Sequence, residues 1–289
     1  MFKGIYTAII TPFLGGKLDL VSFEALVKEQ KESGISGIAI AGTTGEAPTL
    51  SRDEKVKLLE VASKYRDESF KLILGTGSNN TQHVIEETKY FQNLGIDGVL
   101  IVTPYYNKPT QDGLFLHYKA IHDNTNTSIV LYNVPGRTAV SMTLETIIKL
   151  SKLERVTSIK EASGNLFFAS EIKNAVFGVD ILSGDDGTFL PFLSIGGDGC
   201  ISVVSNVAPK LMVELYTAYK ENRNEDAIKI NRDIIELTKA LFLETNPIPV
   251  KTALVEMNKV SEEFRLPLSS MGEMNRRMLR MTLRRVGLF

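Results

Sequence analysis

Short runs of apolar and β-branched residues recur along the chain: Ile5 to Ile10, Gly37 to Ala41, Lys71 to Gly75, Val99 to Val102, Ile129 to Tyr132, Val156 to Lys160, Asp180 to Ser183 and Cys200 to Val204. Most are nearly continuous in apolar character rather than alternating, which is how strands buried on both faces of a parallel sheet read. Amphipathic stretches lie between them. Phe23, Leu26 and Val27 share one face of a helix that Gly34 stops. Ser51-Arg52-Asp53-Glu54 opens the next with a capping-box pattern, and Val56, Leu59 and Val61 fill its apolar side. A third runs from Thr81 to Leu94 and ends at Gly95.

Eight strand–helix units predict an α/β chain folded as a (β/α)8 TIM barrel over residues 1–223. A doubly wound open sheet is the alternative, and the absence of Gly-x-Gly-x-x-Gly after the first strand argues against it. From Asn224 the strand runs cease. Residues 224–289 read as a C-terminal α-helical domain, with helices from Ala227 to Leu243, Pro249 to Lys259 and Met271 to Val286. Arg276, Arg277, Arg280, Arg284 and Arg285 read as the solvated face of the last helix, with cations near the negative end of its dipole, or as an anion-binding patch.

The charges of the 289 residues nearly cancel, with 33 Lys and Arg against 34 Asp and Glu. No global basic field is available to hold nucleic acid or an anionic membrane, and an apolar fraction of 43% is too high for disorder. The single cysteine, Cys200, forms no intramolecular disulfide, and the first apolar run is broken by Thr11-Pro12 before a secretory segment develops. These features predict a cytoplasmic enzyme-sized protein.

In such a barrel the chemistry sits at the C-terminal ends of the strands. That rim carries hydroxyls, tyrosines, one lysine and one arginine, and no histidine. His83, His117 and His122 fall within predicted helices, so an imidazole metal site or a serine–histidine nucleophile is hard to assemble. Asp185 and Asp186, being adjacent, point apart and suit a two-carboxylate hydrolase poorly. Lys160 ends an apolar strand, where desolvation favours the neutral amine that attacks a carbonyl to form a Schiff base. Otherwise it is a strand-end lysine reaching solvent or paired with Glu161. Tyr132 ends the preceding strand and places a phenol beside the lysine, as a proton carrier or as a core tyrosine. Thr43 and Thr44, between Gly42 and Gly45, offer two hydroxyls to a small carboxylate or serve a plain turn. Arg137 follows the stiff Val134-Pro135-Gly136 turn, which aims a bidentate fork at a carboxylate. Together these groups suit an imine-forming site for an α-keto acid.

At these residues the chain resembles the 4-hydroxy-tetrahydrodipicolinate (dihydrodipicolinate) synthase family, within the pyruvate-dependent class I aldolases that also include N-acetylneuraminate lyase. The motifs that carry the resemblance run from Thr7-Ala8-Ile9-Ile10-Thr11-Pro12-Phe13 through Gly42-Thr43-Thr44-Gly45-Glu46, Pro104-Tyr105-Tyr106-Asn107-Lys108-Pro109, Tyr132-Asn133-Val134-Pro135-Gly136-Arg137-Thr138 and Ile159-Lys160-Glu161-Ala162-Ser163-Gly164 to Glu244-Thr245-Asn246-Pro247-Ile248-Pro249-Val250-Lys251. The resemblance implies a lyase that condenses pyruvate with L-aspartate 4-semialdehyde through an imine on Lys160, in the diaminopimelate route to L-lysine. It implies that Tyr132 relays protons, hydrogen-bonded to Thr43, and that Tyr106 completes the relay from a neighbouring subunit. Thr44 is implied to hold the pyruvate carboxylate and Arg137 the semialdehyde carboxylate, with the main chain at Gly184 and Ile201 lining the pocket. No metal or organic cofactor is implied. The expected assembly is a homotetramer, a dimer of dimers.

Two rivals remain: a lyase acting on sugar acids, against which Arg137 argues, and a catalytically retired barrel, against which the intact set of rim residues argues. In family members inhibited by L-lysine, the resemblance places the effector near Leu50, Arg52, Lys55, Asn79, His83 and Tyr105. An acidic side chain usually stands where His83 is, so weak or absent lysine inhibition is expected here.

Overall fold

The computed structural model describes residues 2–289. Its strands are β1 (Gly4–Ala8), β2 (Phe13–Leu14), β3 (Lys17–Leu18), β4 (Gly37–Ile40), β5 (Lys71–Gly75), β6 (Gly98–Val102), β7 (Ser128–Asn133), β8 (Val156–Glu161), β9 (Asp180–Ser183) and β10 (Gly199–Ser202). Its α-helices are α1 (Leu20–Glu32), α2 (Arg52–Ser63), α3 (Thr81–Phe91), α4 (Gln111–Asn124), α5 (Pro135–Thr138), α6 (Leu144–Leu150), α7 (Leu166–Ala175), α8 (Phe189–Ser194), α9 (Pro209–Lys220), α10 (Asn224–Leu241), α11 (Ile248–Glu256) and α12 (Glu273–Arg285). Eight strands form a closed barrel in the order β1-β10-β9-β8-β7-β6-β5-β4, with parallel pairing, which excludes the open doubly wound sheet.

The strands follow the apolar runs because both of their faces are covered. Ile38, Ile73, Val99, Ile129, Leu131 and Ile159 are fully buried, and each such side chain contributes about 1.5–3 kcal/mol of transfer free energy. The capping box of α2 is present as the sequence predicts: the Ser51 hydroxyl accepts from the Glu54 amide at 3.2 Å, and the Glu54 carboxylate accepts from the Ser51 amide at 3.0 Å. Its buried face is Leu58, Leu59, Val61 and Ala62, with Val56 only half-buried. Helix α3 ends at Phe91, earlier than predicted, because Leu94 bonds back to the Phe91 carbonyl at 2.9 Å in a tighter turn before Gly95.

One small element escapes the apolar pattern. Strands β2 and β3 pair antiparallel around Gly15 and Gly16, whose φ values of +59° and +77° are those a two-residue hairpin loop requires.

The chain packs into two compact units, one made of the chain start to Gly4 and Ile73–Ile201, the other of Ile5–Leu72 and Ser202–Phe289. The first holds β6–β9 and α3–α8; the second holds β2–β4, α1, α2 and α9–α12. In the second, the arginines of α12 divide their work. Arg276 and Arg280 both bond the buried Glu256 carboxylate, at 2.6 and 2.8 Å, and hold it below its usual titration range. Arg277 stays on the solvent side with Glu273, Arg285 pairs with Glu236, and Arg284 lies over the Phe289 ring at 5.2 Å. The face is an internal ion-pair seam at Arg276 and Arg280 and solvated beyond them.

Candidate active site

In the first unit the site is built on three consecutive strand ends. Lys160 on β8 and Tyr132 on β7 are paired in register, and both are buried. The Lys160 Nζ lies 4.2 Å from the Tyr132 ring centroid. Alternation along β8 sends the next side chain to the opposite face. There Glu161 accepts from Asn133 Nδ2 at 2.7 Å and from the Ser163 amide at 2.6 Å, while Asn133 Oδ1 accepts from the Met142 amide at 3.0 Å. Glu161 is therefore committed to framing the β7–β8 ends and forms no ion pair with Lys160.

Gly184 follows β9 and donates its amide to the Glu161 carbonyl at 2.7 Å. A Cβ at this position would lie 2.5 Å from the Ala162 Cβ and 3.0 Å from the Lys160 Cε. The absence of a side chain is what lets the lysine stem pass. Ile201 is buried within β10. Asp185 is spent on the following turn, accepting from the Gly187 amide at 3.0 Å and the Thr188 hydroxyl at 3.1 Å. Asp186 is buried with its Oδ1 3.7 Å from the Cys200 Sγ. Burial, reinforced by the Asp186 charge, pushes the Cys200 thiol well above its usual range and leaves it a poor nucleophile.

Arg137 sits in the one-turn helix α5, started by Pro135, and is exposed. Tyr106 is 92% exposed and has a left-handed backbone, φ +68°, rare for an aromatic residue. Tyr105 beside it is 37% exposed. His117 is pushed down to about 4 by burial, with Nδ1 2.8 Å from the Thr81 hydroxyl, so it is neutral at physiological pH. Among the described residues no group of three or more His, Cys, Asp or Glu side chains is placed to hold a metal ion.

In the second unit, Thr43 and Thr44 lie on the loop after β4. Ala41 and Glu46, at φ +51° and +55°, bracket this loop in left-handed conformations that cost roughly 1–2 kcal/mol per residue. The loop is tied down in return. Glu46 and Ala47 donate their amides to the Thr43 and Gly42 carbonyls at 3.1 and 3.2 Å, and the Thr11 hydroxyl donates to the Gly45 carbonyl at 2.7 Å. Asn246 Nδ2 donates to the Thr44 hydroxyl oxygen at 3.0 Å, so the hydroxyl keeps its own proton to give elsewhere. Thr44 is buried and Thr43 half-buried. Sequence reasoning assigned no role to Glu46, Asn246 or Lys251. Glu46 and Lys251 form a buried ion pair at 2.5 Å, yet they stand 205 positions apart and no local pattern announces their meeting.

The six positions of the effector reading are spread over several elements. Leu50 is buried, Arg52 and His83 are exposed near the starts of α2 and α3, and Lys55 and Asn79 are half-buried. The Asn79 carbonyl accepts from Asn107 Nδ2 at 3.0 Å.

Residues 1–286 match the profile of the dihydrodipicolinate synthetase family. A 4-hydroxy-tetrahydrodipicolinate synthase of Thermodesulfovibrio yellowstonii is 47% identical over 289 residues, covering 100% of this chain and 99% of its own. The crystal structure of dihydrodipicolinate synthase from Thermotoga maritima superposes with a TM-score of 0.97 at 45% identity, covering 100% of both chains. A structure described as the first monomeric dihydrodipicolinate synthase variant superposes with a TM-score of 0.96 at 45% identity, covering 100% of this chain and 98% of its own. With closed barrel, buried strand-end lysine and full-length similarity in agreement, the chain belongs to the dihydrodipicolinate synthetase family.

Proposed function

We propose that Lys160 is the residue through which this chain performs the condensation of its family, joining pyruvate to L-aspartate 4-semialdehyde. The observation that carries this reading is the buried Lys160 Nζ held 4.2 Å from the Tyr132 ring centroid. A lysine amine is the group that attacks a ketone to form a Schiff base. Attack on pyruvate and loss of water give an imine. Removal of a methyl proton gives the enamine, whose carbon attacks the semialdehyde aldehyde. The substrate's own amine then closes the ring onto the imine carbon and displaces the lysine, releasing (4S)-4-hydroxy-2,3,4,5-tetrahydrodipicolinate. The imine nitrogen is the electron sink, so the sequence of steps uses no metal or organic cofactor.

Tyr132 moves the protons, with Thr43 and Tyr106 completing the relay. Thr44 takes the pyruvate carboxylate and Arg137 that of the semialdehyde, while the main chain at Gly184 and Ile201 bounds the bound imine. Arg137 favours this reaction over a sugar-acid lyase, whose second substrate presents hydroxyls where this one presents a carboxylate. Tyr106 supports an oligomer: an aromatic residue 92% exposed on a left-handed backbone is poorly used by its own chain alone. The assembly of this reading is a tetramer, a dimer of dimers. The lone Cys200, free and buried, suits a cytoplasmic setting; separately, no helix among the described residues is long and apolar enough to cross a membrane.

Incubation with pyruvate and borohydride, followed by peptide mass spectrometry, tests the reading. The expected result is a three-carbon adduct on Lys160 that diminishes while semialdehyde turns over. An adduct elsewhere, or none, overturns it.

A further inference from the structure

The Glu46 and Lys251 side chains are 0% and 1% exposed. Lys251 Nζ donates to Glu46 Oε1 at 2.5 Å and to the Glu263 carbonyl at 2.7 Å, and lies 4.5 and 4.8 Å from the ring centroids of Phe13 and Phe264. The other Glu46 oxygen accepts from the Arg265 amide at 3.2 Å. Arg265 in turn grips the Thr49 carbonyl and the Glu54 carboxylate and stacks on the Phe13 ring.

Such a pair is a weak source of stability, because desolvation offsets most of its attraction and an apolar pair of similar volume serves a core as well. Its location gives it a different use. Glu46 ends the Thr43–Thr44 loop in a left-handed conformation that a residue with a side chain keeps only when its surroundings fix it. The Glu46 amide closes that loop onto the Thr43 carbonyl. The segment that carries Lys251 also carries Asn246, which holds the Thr44 hydroxyl. Two side chains of one short segment, at Asn246 and Lys251, thus fasten both ends of the loop.

We propose that Lys251 is a positioning residue, which acts through Glu46 to hold the Thr43–Thr44 loop in the shape that receives the pyruvate carboxylate. The inference rests on the reading of Lys160 as the pyruvate-binding lysine and of Thr44 as a carboxylate contact.

Three variants test it: Lys251→Met, Glu46→Gln, and the double variant, which removes both charges and so leaves no buried charge unpaired. Thermal melts report folding, borohydride trapping on Lys160 gives half-saturation by pyruvate, and steady-state assays give the semialdehyde KM. The folded variants are expected to need about tenfold more pyruvate or higher, since small displacements of a positioning group are costly, with the semialdehyde KM within about twofold of wild type. Pyruvate half-saturation within about twofold of wild type in the folded variants overturns the inference. So does failure of all three to fold, which makes the pair purely structural. A wild-type protein that traps no pyruvate on Lys160 instead overturns the reading beneath it.

Discussion

Tyr132 and Lys160 are directly paired on neighbouring parallel strands, and the lysine nitrogen stands 4.2 Å from the centre of the phenol ring. Register and ring contact together place the nitrogen before the chemistry begins. The hydroxyl at the ring edge is the part that the proposed mechanism uses for proton transfer. The two contributions separate in Tyr132→Phe, which keeps the ring and removes the hydroxyl. Turnover is expected to fall by about 10²–10⁴-fold, the range of a general acid–base contribution, with the melting temperature little changed. Steady-state kinetics and a circular-dichroism melt check this; near-wild-type turnover would remove Tyr132 from proton transfer.

Gly184 is required by space rather than by backbone conformation. Because a Cβ there would stand 3.0 Å from the Lys160 Cε and 2.5 Å from the Ala162 Cβ, Gly184→Ala must push the lysine stem aside or move the β9 end. The expected result is at least a tenfold slower imine formation, roughly the effect of misplacing a reacting group by a fraction of an ångström. Stopped borohydride trapping with pyruvate measures it, and an unchanged rate would mean that the stem relaxes without consequence.

Much of this fold is legible in the sequence because its strands are buried on both faces, and continuous apolar runs such as Val99 to Val102 admit few other readings. The Ser51–Glu54 capping box is legible because it is closed within one turn. Lys160 and Tyr132 stand out as polar groups at the ends of apolar strands, where register alone brings them together. The β2–β3 hairpin is missed because its strands are two residues long, too short for any periodicity, although Gly15-Gly16 marks its loop. Pairings such as Glu46–Lys251 and Glu256–Arg280 join distant segments. Hydrophobic periodicity states which face of a helix is buried but not against what, so these contacts appear only in three dimensions.

Arg137 lies outside the buried Lys160–Tyr132 pair, exposed on its own one-turn helix. The two substrates should therefore respond differently to its loss. Arg137→Ala is expected to lower kcat/KM for the semialdehyde by about tenfold to a hundredfold, the worth of a charge-assisted bond of roughly 1.5–3 kcal/mol, while pyruvate trapping on Lys160 stays near wild type. Equal loss of both would contradict the division of roles between Arg137 and Thr44.

L-Lysine presents two ammonium groups and one carboxylate. Arg52 and Lys55 near the start of α2 are cationic, and His83 on α3 supplies no carboxylate to hold an ammonium. On the resemblance's reading of these positions, His83 stands where an effector ammonium would need a carboxylate, so one attractive contact is missing. Inhibition by L-lysine is expected only in the millimolar range or not at all, with His83→Glu strengthening it. Inhibition curves on both proteins decide the matter, and sub-millimolar inhibition of the wild type would contradict the charge argument.

Asp180, at the start of β9, supplies a pH dependence whose sign follows from its surroundings. Burial raises its titration range and the Asp198 charge adds to this, which together outweigh the opposing pull of Lys3 at 3.8 Å and of the hydrogen bond from the Phe2 amide. The folded state therefore holds the Asp180 proton more tightly than the unfolded chain does. Stability from this group is present in full below the unfolded value near 3.8 and is lost as pH rises through the higher folded value. At neutral pH the carboxylate is charged, buried and close to a second carboxylate that already has Lys173 as its partner at 2.7 Å. Asp180→Asn keeps the volume and removes the charge, so it is expected to raise the melting temperature at pH 7. The gain should shrink on acidification, as the wild-type carboxyl takes up its proton in the folded state before it would in the unfolded chain. Melts of both proteins from pH 7 downward test the sign: a variant less stable than wild type at pH 7, with a deficit that closes on acidification, would show that the Lys3 contact outweighs burial.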